Sequence, residues 1–291
     1  MGKIIGIDLG TTYSCIAYID EYGKPIVLKN SEGEHTTPSV AMVESESNII
    51  IGNEAKRSIE IEPEKTVQFI KRKMGKEQDC VILDGKEYHA PEISAWILKK
   101  IVNDANDELI QTGVIEEGQE IKDVVITCPA YFGMNERQAT KTAGELAGLN
   151  VLNIINEPTA AAISYGVSGN QREETVLVYD LGGTFDITVM NISGNEISVV
   201  CTGGDDQLGG KDWDECFMDY VMQRYEEETG EDLSEDPETV AALYVDVETW
   251  KKALTTREKV RIMVNGPAGR FREELTRDTY EELTKDLLNR T

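Results

Sequence analysis

Two short stretches hold the residues best suited to chemistry. In IGIDLGTTYSC, residues 5–15, an apolar run ends at Asp8, a glycine and two threonines follow, and apolar character resumes at Cys15. The pattern predicts a strand, a tight polar turn and a returning strand, whose tip offers backbone N–H groups, hydroxyls and one carboxylate. The second stretch is VLVYDLGGTFDITV, residues 176–189, where Asp180 stands 172 residues after Asp8. At the same offset Gly182 answers Gly10, Thr184 answers Thr12 and Phe185 answers Tyr13. Facing each other, two such tips would clamp a polyphosphate and its metal. Two unrelated turns would resemble each other at the tip alone, whereas here residue type agrees across the whole hairpin. So long a spacing implies two similarly built lobes rather than a solenoid.

A site for polyphosphate must work against the charge of the chain as a whole. The 291 residues carry 29 Lys and Arg against 54 Asp and Glu, a net charge of −25. That field repels nucleic acid and anionic membrane, which excludes both as general partners. Local positive charge must come from Mg²⁺, lysine and backbone N–H groups. Five scattered cysteines without a C-x-x-C pair read as reduced thiols, with Cys15 and Cys128 as small core residues. The start of the sequence runs straight into a strand and no apolar run is long enough to span a bilayer, so a cytoplasmic protein is expected.

The intervening pattern supplies elements to position these residues. Residues 24–51 alternate apolar runs with Gly and Pro turns, as an open sheet does. Residues 63–75 (PEKTVQFIKRKMG) predict a helix started by Pro63 and ended by Gly75, with Val67, Ile70 and Met74 on one face. On periodicity alone Lys71 belongs to a solvated surface. A longer helix is predicted over 91–111, with Ile93, Trp96, Ile97, Ile101, Ala105 and Leu109 inward. A buried strand over 124–128, a helix over 135–148, a strand over 151–155 and a helix from Glu157-Pro158 to Gly166 follow. Glu157 therefore sits at a helix N-terminus just past a strand. That position suits a helix-capping carboxylate and a ligand-facing one equally.

Residues 167–175 (VSGNQREET) read as the crossing between lobes, which divides the chain into 1–171 and 172–291. Four glycines among residues 203–210 predict a loop able to approach a phosphate, although long loops are commonly Gly-rich for other reasons. The remainder reads as mostly helical, with helices near 213–230, 237–254 and 277–289 and a strand over 259–264. Nothing in it matches the strand-helix-strand-helix unit that follows the first hairpins, so the second lobe is expected to be incomplete.

With these residues in view, the sequence resembles the ATPase domain of the 70-kDa heat-shock chaperone family, DnaK type. The motifs are IGIDLGTTYS, the segment Phe69-Ile70-Lys71-Arg72, CPAYFGMNERQATKTAGELAGLNVLNIINEPTAAAISYG, the second hairpin and LGGKDWD. The resemblance implies an α/β fold shared with actin and hexokinase: two lobes with duplicated hairpin-containing sheets around a cleft for ATP or ADP and Mg²⁺, with K⁺ as a further cation. It assigns Asp8, Glu157 and Asp180 to the metal through its waters, and Thr11, Thr12 and Tyr13 to the first phosphate loop. Gly182, Gly183, Thr184 and Asp186 fall to the second loop, near the γ-phosphate and the attacking water, and Gly204 to the glycine-rich segment beyond it. Lys71 falls to the γ-phosphate, against its surface reading. Pro129 and Arg137 become the relay of nucleotide state, and Glu248, Lys251 and Thr255 flank adenine and ribose, Thr255 in place of a serine. The catalytic set implied is Lys71, Asp186, Thr184 and Asp8.

The implied activity is slow ATP hydrolysis in a stress-response chaperone. Unfolded client peptides, a J-domain co-chaperone and a nucleotide exchange factor would be partners of a full-length protein. Members usually have three glycines between the Leu and Thr of the second loop, whereas Leu181 is followed here by two. Asn153 stands where an arginine linked to J-domain contact is common, and the segment after Met74 is short. A Gly-Gly-Ser-Thr-Arg loop, a linker and a peptide-binding domain do not occur in these 291 residues. A non-hydrolysing nucleotide sensor and a small-molecule kinase of the same fold are the rival readings.

Overall fold

The computed structural model describes residues 3–76, 78–166, 173–194 and 196–291. The boundary between 171 and 172, and the crossing over 167–175 except its last three residues, lie outside the described residues. By contacts the chain forms two compact units, Met1–Lys56 with Glu64–Asp205 and Arg57–Pro63 with Asp206–Thr291.

The first unit begins with strands β1 (Ile5–Asp8), β2 (Tyr13–Ile19), β3 (Pro25–Val27), β4 (Thr37–Pro38), β5 (Ala41–Ser45) and β6 (Asn48–Ile51), then helix α1 (Asn53–Ser58), whose last two residues are counted with the other unit. Next come β7 (Thr66–Val67), β8 (Cys80–Leu83), β9 (Lys86–His89), α2 (Ala90–Gln111), β10 (Asp123–Cys128), α3 (Met134–Leu146), β11 (Asn150–Asn156) and α4 (Glu157–Gly166). The main sheet runs β11-β10-β1-β2-β3, with β4 also paired to β2. β1 is antiparallel to β2 and parallel to β10. Period-two alternation points Ile5 and Ile7 of β1, and Val124, Ile126 and Cys128 of β10, to one buried face. Helix α2 covers that core with Ile93, Ile97, Ile101, Ala105 and Leu109, and Gly113 follows its end at φ 72°.

A second, separate sheet follows: β12 (Glu174–Leu181), β13 (Phe185–Ser193) and β14 (Glu196–Asp205), antiparallel in sequence order. It repeats the up-and-down order of β1-β2-β3. Leu177, Tyr179 and Leu181 line an exposed apolar face of β12.

The other unit packs α5 (Gly210–Thr229) and α6 (Pro237–Leu254) on a hairpin of β15 (Lys259–Gly266) and β16 (Gly269–Thr276), followed by α7 (Arg277–Leu283) and α8 (Lys285–Leu288). Phe217, Tyr225, Val247, Ile262 and Phe271 are central to its core.

Four sequence expectations are corrected. Residues 63–75 are not one helix: 3-10 turns Pro63–Lys65 and Ile70–Lys73 flank β7, which pairs with β5. The β-branched Thr66 and Val67 prefer the pleated sheet, and Phe69 at φ 58° cannot propagate a right-handed helix. Gly203 and Gly204 belong to β14, not to a loop over 203–210. The closing helix is two, divided at Thr284, whose N–H and hydroxyl both donate to the Tyr280 carbonyl. The chain after β14 is also less helical than expected, because β16 hides its alternation. Phe271 and Leu275 point inward, while charged neighbours occupy the exposed positions.

Candidate functional site

The two hairpin tips and the lysine all lie within the first unit. Asp8 ends β1, where the Thr127 hydroxyl donates to its Oδ1 (2.8 Å). Beyond it the turn is closed tightly: a Cβ on Gly10 would lie 1.9 Å from the Tyr13 carbonyl oxygen. Ser39 braces the same turn, its hydroxyl donating to the Gly10 carbonyl (2.7 Å) and its N–H to the Thr12 carbonyl (2.8 Å). Thr11 is buried. Thr12 is half-buried, and so is Tyr13, whose hydroxyl accepts a hydrogen bond from Lys56 (3.0 Å).

In the second hairpin Asp180 pairs with Asp186 and Leu181 with Phe185, leaving residues 182–184 as the turn. The Gly182 N–H donates to the Thr184 carbonyl (3.0 Å). Gly183 lies against the first tip, where a Cβ on it would come 2.4 Å from the Thr11 Cβ. Thr184 and Asp186 are buried, 3.4 Å apart from Oγ1 to Oδ2, while Asp186 Oδ1 is buried with no hydrogen-bond partner. Gly204 pairs with Asp186 at φ 153°, and a Cβ there would sit 2.3 Å from the Phe185 carbonyl oxygen. Backbone packing alone therefore requires a glycine at position 204.

Lys71 is buried, not solvated, which corrects the periodicity reading. Its ammonium lies 2.6 Å from Glu157 Oε1, at the start of α4. Burial opposes its charge, but Glu157 and Asp8 outweigh burial and hold its pKa above the ordinary lysine value. Burial raises Glu157, and Asp8 and Asp180 add to the rise while Lys71 opposes it. Burial and then Asp8 likewise raise Asp180. Asp186 is pushed up to about 7 by burial first, then by Glu157 and Asp180. Four carboxylates thus share a region with one buried ammonium, and burial, reinforced by their mutual repulsion, raises the pKa of Glu157, Asp180 and Asp186. A cation would relieve that repulsion. Among the described residues no three His, Cys, Asp or Glu side chains stand close enough to hold a metal directly.

Arg137 of α3 donates from Nε to the Phe132 carbonyl (2.9 Å) and from Nη2 to Asn156 Oδ1 (2.5 Å), one residue before Glu157. Phe132 in turn donates its N–H to the Pro129 carbonyl (3.2 Å), so Pro129 and Arg137 border one turn. The remaining predicted residues belong to the other unit. There Lys251 pairs with Asp214 (2.6 Å) and donates to the Gly210 carbonyl (3.0 Å), joining α6 to the start of α5. Glu248 pairs with Lys252 (2.8 Å), and the Thr255 hydroxyl donates to the Lys252 carbonyl (2.7 Å).

Sequence reasoning missed Ser39, Arg72, Thr127 and Asn156. A polar Thr127 in the otherwise apolar VVITC was a usable signal. Arg72 lies in the Phe69–Arg72 motif, but nothing there pointed to its partner: its Nε and Nη2 both donate to the Gly183 carbonyl (3.1 and 2.7 Å), across a sequence separation of 111 residues.

The "Chaperone protein DnaK" of Thermotoga petrophila is 44% identical over 296 residues, covering 99% of this chain and 48% of that protein. The proteins of the same name from Thermotoga neapolitana and Thermosipho melanesiensis are 43% and 42% identical with the same coverage. The chain thus spans about half the length of the curated relatives it matches. A family profile described as "Hsp70 protein" matches residues 4–291. With that match running from the first hairpin to the last residue, the chain belongs to the Hsp70 family and has its actin-like α/β fold.

Proposed function

We propose that this chain is the ATP-binding and slowly ATP-hydrolysing domain of a DnaK-type chaperone. The observation that carries the reading is the convergence of both hairpin tips with a buried lysine: Gly183 packs on Thr11 while Lys71 meets Glu157 at 2.6 Å. Backbone N–H groups and hydroxyls of Thr11, Thr12, Tyr13 and Thr184 then face the phosphates, and Gly182 and Gly183 allow close backbone approach. Lys71 neutralises charge at the γ-phosphate. Asp186, whose unpartnered Oδ1 needs a donor, orients the attacking water and can accept its proton at a pKa near 7.

Asp8, Glu157 and Asp180 would hold Mg²⁺ through its waters, in keeping with the lack of a three-ligand cluster among the described residues. When bound, the ion supplies charge neutralisation for phosphoryl transfer. Glu248, Lys251 and Thr255 would serve adenine and ribose, and Pro129 with Arg137 would carry nucleotide state toward the surface. The functional lobes would be 1–171 and 172–291, each opening on its own hairpin. In a longer protein, cytoplasmic like its proposed relatives, client peptides, a J-domain co-chaperone and an exchange factor would complete the cycle.

Single-turnover hydrolysis of Mg-ATP without an acceptor tests this reading. Lys71→Ala should lower the rate by about 100-fold or more. A rate unchanged by that substitution would overturn the role of Lys71, and phosphate transfer only to an added alcohol would favour a kinase. The shorter second turn favours one rival, a sensor that binds ATP without hydrolysing it; such a chain would retain ATP intact over hours.

A further inference from the structure

The two turns differ in length by one residue. Asp8 pairs with Cys15, so six residues separate the paired positions, whereas Asp180 pairs with Asp186 and five do. The tighter turn is also held by a different kind of group. In the first, a serine supplies neutral hydrogen bonds to Gly10 and Thr12. In the second, two N–H groups of the Arg72 guanidinium converge on one oxygen, the Gly183 carbonyl, at 3.1 and 2.7 Å. Charged donors make such bonds stronger than neutral ones, and the planar fork fixes direction as well as distance.

The consequence follows from peptide planarity. The Gly183 carbonyl and the Thr184 N–H belong to one planar trans unit and point opposite ways, so fixing one fixes the other. With the carbonyl gripped by Arg72 and the Gly183 Cα pressed on Thr11, that unit has little freedom to rotate. We infer that Arg72 is a positioning residue that presets the Gly183–Thr184 peptide, and with it the Thr184 amide and hydroxyl, before any phosphate arrives. This rests on the nucleotide reading for what the preset loop is used for. The grip itself does not.

The test uses Arg72→Gln and Arg72→Lys in the whole chain, with two readouts. Amide hydrogen exchange without nucleotide should accelerate about 10- to 100-fold across residues 183–185 in Arg72→Gln, as expected for losing a charge-assisted bond. Arg72→Lys should be intermediate, and α2 amides unchanged, which verifies folding. Single-turnover hydrolysis should fall about 30-fold in Arg72→Gln, with Mg-ATP affinity within about threefold and partial recovery in Arg72→Lys. Unchanged exchange at 183–185 overturns the grip, whatever happens to hydrolysis. Faster exchange with an unchanged hydrolysis rate overturns the positioning role. If the parent chain binds no ATP, the nucleotide reading fails on its own and the exchange arm still decides the grip.

Discussion

The two hairpin tips share a sequence pattern, yet each is made rigid by different neighbours. The β1–β2 turn is closed on itself: Gly10 packs on the Tyr13 carbonyl, and Ser39 supplies neutral bracing. The β12–β13 turn is shorter and relies on residues distant in sequence, Thr11 on one side and Arg72 on another. A duplicated motif has thus kept its acids and hydroxyls, while one copy is braced by the neutral hydrogen bonds of Ser39 and the other by the charged fork of Arg72. Glycine substitutions separate the two cases.

Gly10→Ala should have the largest effect. Its new Cβ meets backbone at 1.9 Å, so the turn must open, at a cost of about 3 kcal/mol in urea unfolding. In Gly183→Ala the obstacle is the buried Thr11 side chain at 2.4 Å, which can shift only by displacing the loop. Hydrolysis should fall about 100-fold with most of the stability kept. At Gly182 the nearest atom is 3.8 Å away, and alanine should leave the rate within about threefold. Equal effects at 182 and 183 would show that the second turn is not held by Thr11.

The second tip is also the one with a strained charge. Asp186 titrates near 7 in the folded chain against an ordinary 3.8, so the folded state keeps a proton that the unfolded state has released. Stability from this group is therefore full below about pH 4, falls as pH rises toward 7, and is flat above that. Asp186→Asn should stabilise the nucleotide-free chain by about 2 kcal/mol at pH 8, allowing for solvent screening, and by almost nothing at pH 4. Urea titrations at several pH values would show it. A gain independent of pH would mean that packing, not charge, strains this residue.

How much of this was legible beforehand follows the same division. Local patterns announced α2, α6, both hairpins and Asp8, Asp180 and Thr184, because alternation, helical period and turn residues act over a few positions. Residues 63–75 misled because Thr66 and Val67 are drawn into β7 by pairing with β5, a contact that no local period encodes. Lys71 misled for the same reason: a lysine on a short polar stretch reads as surface until Glu157, 86 residues later, is folded against it. Ser39 and Arg72 were invisible because their partners are backbone carbonyls, which leave no trace in side-chain types.

Thr127 makes the smallest and sharpest test of the contrast. It belongs to the first tip, but touches a side chain rather than the turn's backbone, donating its hydroxyl to Asp8 Oδ1 at 2.8 Å. Thr127→Val keeps the shape and removes that donor. Nothing in the backbone of the turn depends on it, so folding stability should change by less than about 0.5 kcal/mol. Asp8, exposed at the end of β1, would lose the bond that selects its rotamer. The affinity for Mg-ADP should weaken about fivefold, the worth of one hydrogen bond to a charged group, and Thr127→Ser should restore it. Calorimetric titration reads both numbers. If Thr127→Val weakened binding as severely as Gly183→Ala slows hydrolysis, the first tip would depend on a single side-chain contact as heavily as the second depends on Thr11, and the contrast between the two hairpins would reduce to their length.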